Sequence, residues 1–174
     1  MAKITIFGLG GTGTSTVGKL LASKLDYPFM SSGNMFRQKA KDIGLEFYVF
    51  ENLCNSEPKY DLELDQELAK YGKENDNFVL ESRLGWYFVP DSLRIKIICP
   101  EEERVGRIAR REDLSFEEAK EKTLTREKDG ADRYEKMYGI KEMAPDNLFD
   151  LIIDSGEFRP EQIVEQILTC LKKS

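Results

Sequence analysis

The chain has 174 residues, with 40% hydrophobic and 33% charged residues and a formal net charge of −6 at neutral pH. This length and composition are typical of a single globular domain and exclude a disordered or fibrous protein. The negative charge argues against nonspecific binding to nucleic acid or to an anionic membrane, and no apolar run approaches the roughly 20 residues that span a bilayer.

Strand and helix patterns alternate along the whole chain. The segment 3–7 is rich in β-forming residues, and apolar residues at helical spacing follow it from 14 to 25. Further strands are predicted at 27–30, 78–81, 94–99 and 149–153, and further helices at 33–43, 45–53, 60–71, 101–112, 115–138 and 160–171. Ser115 and Glu118 form the capping-box pattern that opens the longest helix. Helices between successive strands predict an α/β protein with a five-stranded parallel sheet, in a three-layer α/β/α fold that occupies 1–174 as one domain.

A glycine-rich segment joins the first predicted strand to the first predicted helix. A strand before such a segment and a helix after it are the context of a phosphate-binding P-loop. The glycines allow a tight turn that aims successive N–H groups at an anion, which the positive end of the helix dipole also favours. The residues predicted to bind the phosphates of a nucleotide are Gly8, Gly10, Gly11, Thr12, Gly13, Thr14, Ser15 and Thr16.

One position departs from the usual G-x-x-x-x-G-K-[ST] pattern of this loop. Thr14 stands where a lysine normally brings positive charge to the β- and γ-phosphates. Lys19 is no simple replacement, because five residues place it about 140° around the helix. Ser15 keeps the hydroxyl position that reaches Mg²⁺.

The same glycines also fit the dinucleotide-binding fingerprint, through Gly8, Gly10 and Gly13. That fingerprint requires an acidic residue at the end of the second strand to bind a ribose hydroxyl. The second predicted strand ends instead in the polar segment 30–33, so the P-loop interpretation is preferred.

Arginine is concentrated locally in this acidic chain, which suits the binding of a small anion. Interleaved glutamates leave a solvated helix with i,i+4 ion pairs as the alternative. The clustered residues are Arg104, Arg107, Arg110, Arg111, Arg126 and Arg133.

The chain has no histidine. Phosphoryl transfer to an anionic acceptor needs charge neutralisation more than a general base, whereas acyl transfer usually calls for such a base.

Three cysteines, Cys54, Cys99 and Cys170, are widely spaced in apolar segments. Their odd number and spacing favour buried thiols over a disulfide or a metal site. The N-terminus runs directly into a strand pattern and does not resemble a signal peptide. These features together predict a protein of the cytoplasm.

Five segments, taken in order, resemble the archaeal-type cytidylate kinases and their bacterial relatives, within the adenylate kinase-like group of nucleoside monophosphate kinases. The segments are 8–16, 30–37, 80–86, 104–111 and 126–140. The likeness covers nearly the whole chain, and it implies the P-loop nucleoside triphosphate hydrolase fold. It also implies that ATP, with Mg²⁺, phosphorylates CMP or dCMP, and that the partners are small-molecule nucleotides. The oligomeric state is left open.

The resemblance also implies roles for parts of the chain and for single residues. Segment 33–75 would bind the acceptor, segment 104–138 would form a mobile lid, and Ser15 and Glu81 would organise the metal. The implied acceptor-binding residues are Ser32, Gly33, Arg37, Asp61, Asp65 and Arg83. The implied catalytic residues are Arg83, Arg107, Arg110, Arg111, Arg126 and Arg133.

Two functional alternatives remain open at this point. One is a kinase of the same fold that acts on another small acceptor. The other is a catalytically weak nucleotide-binding module, because the loop lacks its lysine. Losing one charge-assisted contact to phosphate removes about 2–3 kcal/mol of transition-state stabilisation, or roughly 30- to 150-fold in rate. Asp61 and Asp65 could also lie on a plain solvated helix face.

Overall fold

The computed structural model describes residues 2–173, whose strands form one five-stranded sheet. The strands are β1 (Lys3–Phe7), β2 (Phe29–Ser31), β3 (Phe78–Glu81), β4 (Leu93–Ile98) and β5 (Leu151–Asp154). The helices are α1 (Thr14–Leu25), α2 (Ser32–Asp42), α3 (Phe47–Ser56), α4 (Lys59–Glu74), α5 (Gly85–Phe88), α6 (Glu101–Glu112), α7 (Phe116–Tyr138) and α8 (Pro160–Leu171). The strand order is β2-β3-β1-β4-β5, and all four pairings are parallel. The predicted five-stranded parallel sheet is confirmed.

Successive residues of a strand point to opposite faces of the sheet, and both faces carry apolar side chains. Helices cover both faces. Ile4 and Ile6 pack with residues of α1 and α8 in the largest buried core. Phe78 and Leu80 contribute to a second core, on the other face, with Leu68 of α4. In residues 2–173, no helix is long and apolar enough to cross a membrane.

The helical pair α6 and α7 packs through a small core of its own around Val105 and Ile108. The capping box that begins α7 is confirmed: the Glu118 N–H donates to Ser115 Oγ at 3.3 Å, and the Ser115 N–H donates to Glu118 Oε2 at 3.0 Å. A buried ion pair between Arg104 and Glu127 joins the two helices. Arg104 is therefore engaged within the protein rather than facing the cleft as part of an anion site.

Some element bounds differ from the predicted ones. Strand β2 begins at Phe29 rather than at 27, and α3 begins at Phe47 because Gly44 adopts a positive φ of 74° and ends the preceding turn. The short helix α5 and a 3₁₀ turn at Asp146–Leu148 were not predicted. Helices of three or four residues are too short to show a helical period.

The prediction of three buried thiols is correct only for Cys54. Burial raises the pKa of this thiol to about 12, so it remains protonated at neutral pH. Cys99 and Cys170 are half-buried, and for these two the prediction is wrong. Cys99 directly follows the end of β4, and Cys170 lies in the last turn of α8, where the neighbouring elements cover the chain incompletely.

Candidate active site

The glycine-rich loop leaves the carboxyl end of β1 and enters α1 at Thr14, with Gly13 as the N-cap. Gly11 and Gly13 have φ values of 84° and 87°, a region that side chains other than glycine rarely adopt. A Cβ on Gly11 would also lie 2.3 Å from the carbonyl oxygen of Arg104. No side chain caps the first turn of α1. The N–H groups of Thr14 and Ser15 are therefore open to an anion, whereas the Thr16 N–H donates to Gly13 O at 3.1 Å.

Two hydroxyl groups at the start of α1 converge on one carboxylate. Thr14 Oγ1 donates to Glu81 Oε1 at 2.5 Å, and Ser15 Oγ lies 2.8 Å from each oxygen of Glu81. Strand β3 supplies Glu81 beside Ile6 of β1, so the contact follows from the pairing of the two strands. Carboxylate and hydroxyl oxygens are hard ligands of the kind that Mg²⁺ prefers. The residues present therefore fit a magnesium ion.

Thr14, at the position of the usual lysine, is held on two sides. Its methyl group packs against Gly8, where an added Cβ would lie 2.4 Å from Thr14 Cγ2. Its hydroxyl binds Glu81, and only 7% of the residue is exposed. The side chain at this position is thus part of the carboxylate's hydrogen-bond network instead of a cation directed at phosphate.

A cavity of about 320 Å³ lies over the loop, and its wall is rich in arginine. It adjoins a second cavity between α2, α4 and α7, and the two share part of their lining, including Ser32, Gly33 and Arg83. The five arginines on the wall of the first cavity are Arg37, Arg83, Arg107, Arg111 and Arg126. The fold thus collects cations from four separate stretches of the chain at one cleft.

Arg83 is the least compensated of these cations. Within residues 2–173 its guanidinium forms neither a hydrogen bond nor an ion pair. Burial lowers the pKa of Arg83 below its usual value and the charge of Arg126 adds to this effect, while Tyr134, Glu127 and Glu51 oppose it. A partly desolvated cation without a direct ion pair attracts an anion. The shared wall of the two cavities therefore favours a phosphate group at Arg83.

Gly130 makes room for the Arg83 side chain in the middle of α7, where glycine is otherwise unfavourable. A Cβ at this position would lie 2.7 Å from Arg83 Nη1. Sequence reasoning missed Gly130, because an isolated glycine within a helical pattern does not show which side chain approaches it.

The remaining predicted lid arginines are placed differently from one another. Arg107 joins the loop to the segment after β5, because it donates to Gly11 O at 3.3 Å and to Ser155 O at 2.9 Å. Arg111 lines the cleft and pairs with Glu112. The structure does not bring Arg110 into the cleft, since it lies exposed on α6.

Asp61 and Asp65 lie on the wall of the second cavity and not on a solvated helix face. Asp61 is 2% exposed, and its Oδ2 lies 3.2 Å from Arg133 Nε. Neither of these two buried atoms forms a well-directed hydrogen bond. The Tyr138 hydroxyl donates to Asp65 Oδ2 at 2.7 Å. The solvated-face alternative is therefore wrong for both residues, and a buried polar group of a ligand would find partners here.

Burial raises the pKa of the Asp65 carboxyl to about 7 from an ordinary value of 3.8, and the hydrogen bond from Tyr138 opposes this effect only in part. At a pH between these two pKa values, the Asp65 carboxyl is protonated in the native state and ionised in the unfolded state. The free energy of unfolding should therefore fall as pH rises from about 4 to 7.

Asp65→Asn keeps the shape of the side chain but cannot ionise. We therefore expect this variant to lack the fall in the free energy of unfolding that Asp65 causes. Its free energy of unfolding relative to the wild type should increase by about 2–4 kcal/mol between pH 4 and pH 8, as measured by urea unfolding. Asp76→Asn, the same change at an exposed position, corrects for the loss of one negative charge. A difference that stays constant over this pH range would contradict the prediction.

Helix α3 adds two residues that sequence reasoning missed. The guanidinium carbons of Arg37 and Arg126 each lie 5.0 Å from the centre of the Phe47 ring. Glu51, one turn further along α3, forms an ion pair of 2.7 Å with Arg126 Nε. Glu51 and Arg126 are 75 positions apart in the chain, and no local pattern reports such a contact.

A family model described as the cytidylate kinase-like family matches residues 3–157. The chain belongs to this family. The cytidylate kinase of Methanobrevibacter smithii is 39% identical over 169 residues, which cover 97% of this chain and 98% of that protein. The cytidylate kinase of Ignicoccus hospitalis is 37% identical, with 96% of this chain and 97% of that protein covered. The resemblance noted in the sequence is thus confirmed.

Solved structures show that the fold extends beyond the cytidylate kinase-like family. An uncharacterized protein from Eubacterium ventriosum superposes with a TM-score of 0.74 at 17% identity, covering 100% of both chains. A shikimate kinase from Aquifex aeolicus superposes with a TM-score of 0.59 at 22% identity, covering 98% of this chain and 96% of that one. At identities this low, the likeness shows only the fold. That fold is the P-loop kinase fold predicted from the sequence.

Proposed function

We propose that the chain is a nucleoside monophosphate kinase that transfers the γ-phosphoryl group of ATP to CMP, with dCMP as a second acceptor. The observation that carries this proposal is Arg83, a half-buried cation without a direct ion pair on the wall shared by two cavities. One cavity contains the phosphate-binding loop, and the other contains buried carboxylates suited to a nucleobase. Membership of the cytidylate kinase-like family supports the same reaction.

The donor would bind over the loop, with its phosphates against the main chain of residues 8–16. When bound, Mg²⁺ would neutralise part of the charge of the donor phosphates, and Ser15 and Glu81 would hold it. Thr14 would keep Glu81 in place through its hydroxyl. The charge that a lysine would bring falls to the arginines of the cleft, of which Arg107 and Arg111 lie on the lid side.

The acceptor phosphate would lie between the two cavities, held by Arg37 and Arg83 with Ser32 and Gly33 at the start of α2. Phosphoryl transfer in line between donor and acceptor depends on position and on charge neutralisation. The acceptor oxygen is already anionic at neutral pH, so the reaction needs no general base. A chain without histidine is suited to this chemistry.

The acceptor base would lie in the second cavity, against Asp61, Asp65 and Arg133. Cytosine presents an amino donor at the position where uracil presents a carbonyl acceptor. An ionised carboxylate therefore favours cytosine, and uracil would leave two oxygen acceptors facing each other without a hydrogen between them. This contrast supports CMP over UMP as the acceptor.

We further propose that segment 33–75 carries the acceptor and that segment 104–138 closes over the phosphoryl group as a lid. The contacts between Arg126 and Glu51 and between Arg133 and Asp61 join these segments in the present structure. Arg110 remains a predicted lid residue, which could reach the cleft only if α6 moves. A cytoplasmic location fits substrates drawn from the free nucleotide pool, and a single chain contains every proposed site residue.

The proposal is tested by measuring ADP release with ATP and Mg²⁺ against CMP, dCMP, UMP and AMP. We expect turnover with CMP and dCMP, and kcat/KM for UMP lower by about 10- to 100-fold because of the buried carboxylates. Turnover with none of the four acceptors would contradict the kinase function. ATP binding without turnover would instead favour the nucleotide-binding module.

Gly130→Ala tests the proposed role of Arg83 from a distance. The added methyl group would displace the flexible end of Arg83, although alanine itself favours a helix. We expect kcat/KM for CMP to fall by about 10-fold while the midpoint of thermal unfolding stays the same or rises. Gly106→Ala, on α6 and with only the end of Arg110 within 4 Å, is the matched control. A Gly130→Ala enzyme with unchanged kinetics would contradict this placement of Arg83.

A further inference from the structure

One aromatic ring joins the two segments of the proposed active site. Phe47 is the first residue of α3, and its ring lies 5.0 Å from the guanidinium carbons of both Arg37 and Arg126. Arg37 belongs to α2 and Arg126 to α7, and both line the cavity over the phosphate-binding loop. A single ring thus brings together one cation from the acceptor segment and one from the lid segment.

Two guanidinium groups held at one ring repel each other, so the surroundings must compensate. The π face of the ring attracts each cation. The carboxylate of Glu51, 2.7 Å from Arg126 Nε, adds a negative charge on the same face of α3 one turn further on. Arg126 Nε donates a hydrogen bond to Glu51 Oε1 at 3.0 Å, while Glu51 Oε2 is buried and forms no well-directed hydrogen bond. Both cations line the cavity over the phosphate-binding loop.

We propose that Phe47 and Glu51 are positioning residues that hold Arg37 and Arg126 in place for the transferring phosphoryl group. This inference rests on the proposed kinase function. Charge in the transition state spreads over the equatorial oxygens of the phosphoryl group, and two guanidinium groups at fixed positions can bind it on separate oxygens. A free arginine side chain would have to lose rotamer freedom in every catalytic cycle, whereas these two have lost part of it already.

The packing of α3 does not depend on Phe47. Phe50 and Cys54 are fully buried and form the core of this helix together with Ala40 of α2. Phe47 is half-buried and lies outside that core. It lines the second cavity and a neighbouring cavity. The ring therefore contacts the arginines without being needed to fold the helix.

The test compares Phe47→Leu with Phe47→Tyr, and Glu51→Gln with the wild type, by measuring kcat and KM for ATP and CMP. We expect Phe47→Leu to lower kcat by about 10-fold, because it loses the cation–π contacts with both arginines, and Phe47→Tyr to stay within about 2-fold of the wild type. Glu51→Gln should lower kcat by about 5-fold without raising KM for ATP, because its carboxylate orients Arg126 but does not bind phosphate.

Phe158→Leu and Glu63→Gln are the matched controls. Phe158 is an exposed aromatic residue between β5 and α8, while Glu63 pairs with Lys39 on the exposed surface. Both variants should keep wild-type kinetics. If the wild type phosphorylates CMP and Phe47→Leu matches it in kcat and KM, or if Phe47→Tyr is as impaired as Phe47→Leu, the inference is wrong and the kinase function stands. If the wild type phosphorylates no nucleoside monophosphate, both fail.

Discussion

Replacement of Arg83 by methionine is expected to lower kcat/KM for CMP by about 10²- to 10³-fold and to leave the protein more stable. The activity falls because a preorganised cation in a desolvated site binds the transferring charge far better than water does. The stability rises because this half-buried cation has no direct ion-pair partner, and desolvation already lowers its pKa. Removing an uncompensated charge that costs about 1 kcal/mol would raise the thermal midpoint by about 2–4 °C in a chain of this size.

The two readouts together separate a binding role from a structural one. Steady-state kinetics give the first, and thermal unfolding of the nucleotide-free protein gives the second. Arg94→Met is the control. Arg94 lies near the amino-terminal end of β4 and pairs with Asp150, at the end of the sheet that faces away from the cleft. A stable Arg83→Met protein with wild-type kinetics would remove Arg83 from the proposed phosphate site. A large loss of stability would show that Arg83 supports the fold instead.

Most of the fold could be predicted because its determinants are local. The alternation of strand and helix patterns, the capping box at Ser115 and the glycines of the loop each act within a few residues. The limits of that information appear at α5, which is too short to be periodic, and at Cys99, whose exposure depends on which elements cover the end of β4. Such coverage is decided by contacts between distant parts of the chain.

The candidate site divides along the same line. Thr14, Ser15 and Glu81 could be placed at one edge of a parallel sheet, because the carboxyl ends of neighbouring strands meet there. The hydrogen bond from Thr14 to Glu81 could not be predicted, since the motif only indicates that a lysine is missing. The buried setting of Asp61 and Asp65, the space left by Gly130 and the ring of Phe47 all depend on packing between helices that are far apart in sequence.

Glu81→Gln is expected to lower kcat by about 10²-fold or more while the fold is retained. The amide oxygen of glutamine can still accept the hydrogen bonds that Thr14 and Ser15 donate, so the network at the start of α1 should persist. What is lost is the negative charge proposed to hold Mg²⁺, and a divalent ion contributes several kcal/mol to the stabilisation of transition-state charge. The half-saturating Mg²⁺ concentration in the kinase assay should rise accordingly.

A second readout shows whether the effect acts through the metal. Titration calorimetry should find that Glu81→Gln binds ATP as tightly as the wild type in the presence of EDTA, but gains less affinity on addition of Mg²⁺. Thr14→Val keeps the methyl contact with Gly8 and removes one donor to Glu81, so we expect a smaller change in the same direction, about 3- to 10-fold in kcat. Glu161→Gln, exposed on α8, is the charge-matched control. If Glu81→Gln changed ATP affinity equally with and without Mg²⁺, Glu81 would act on the nucleotide directly, and its assignment to the metal would be wrong.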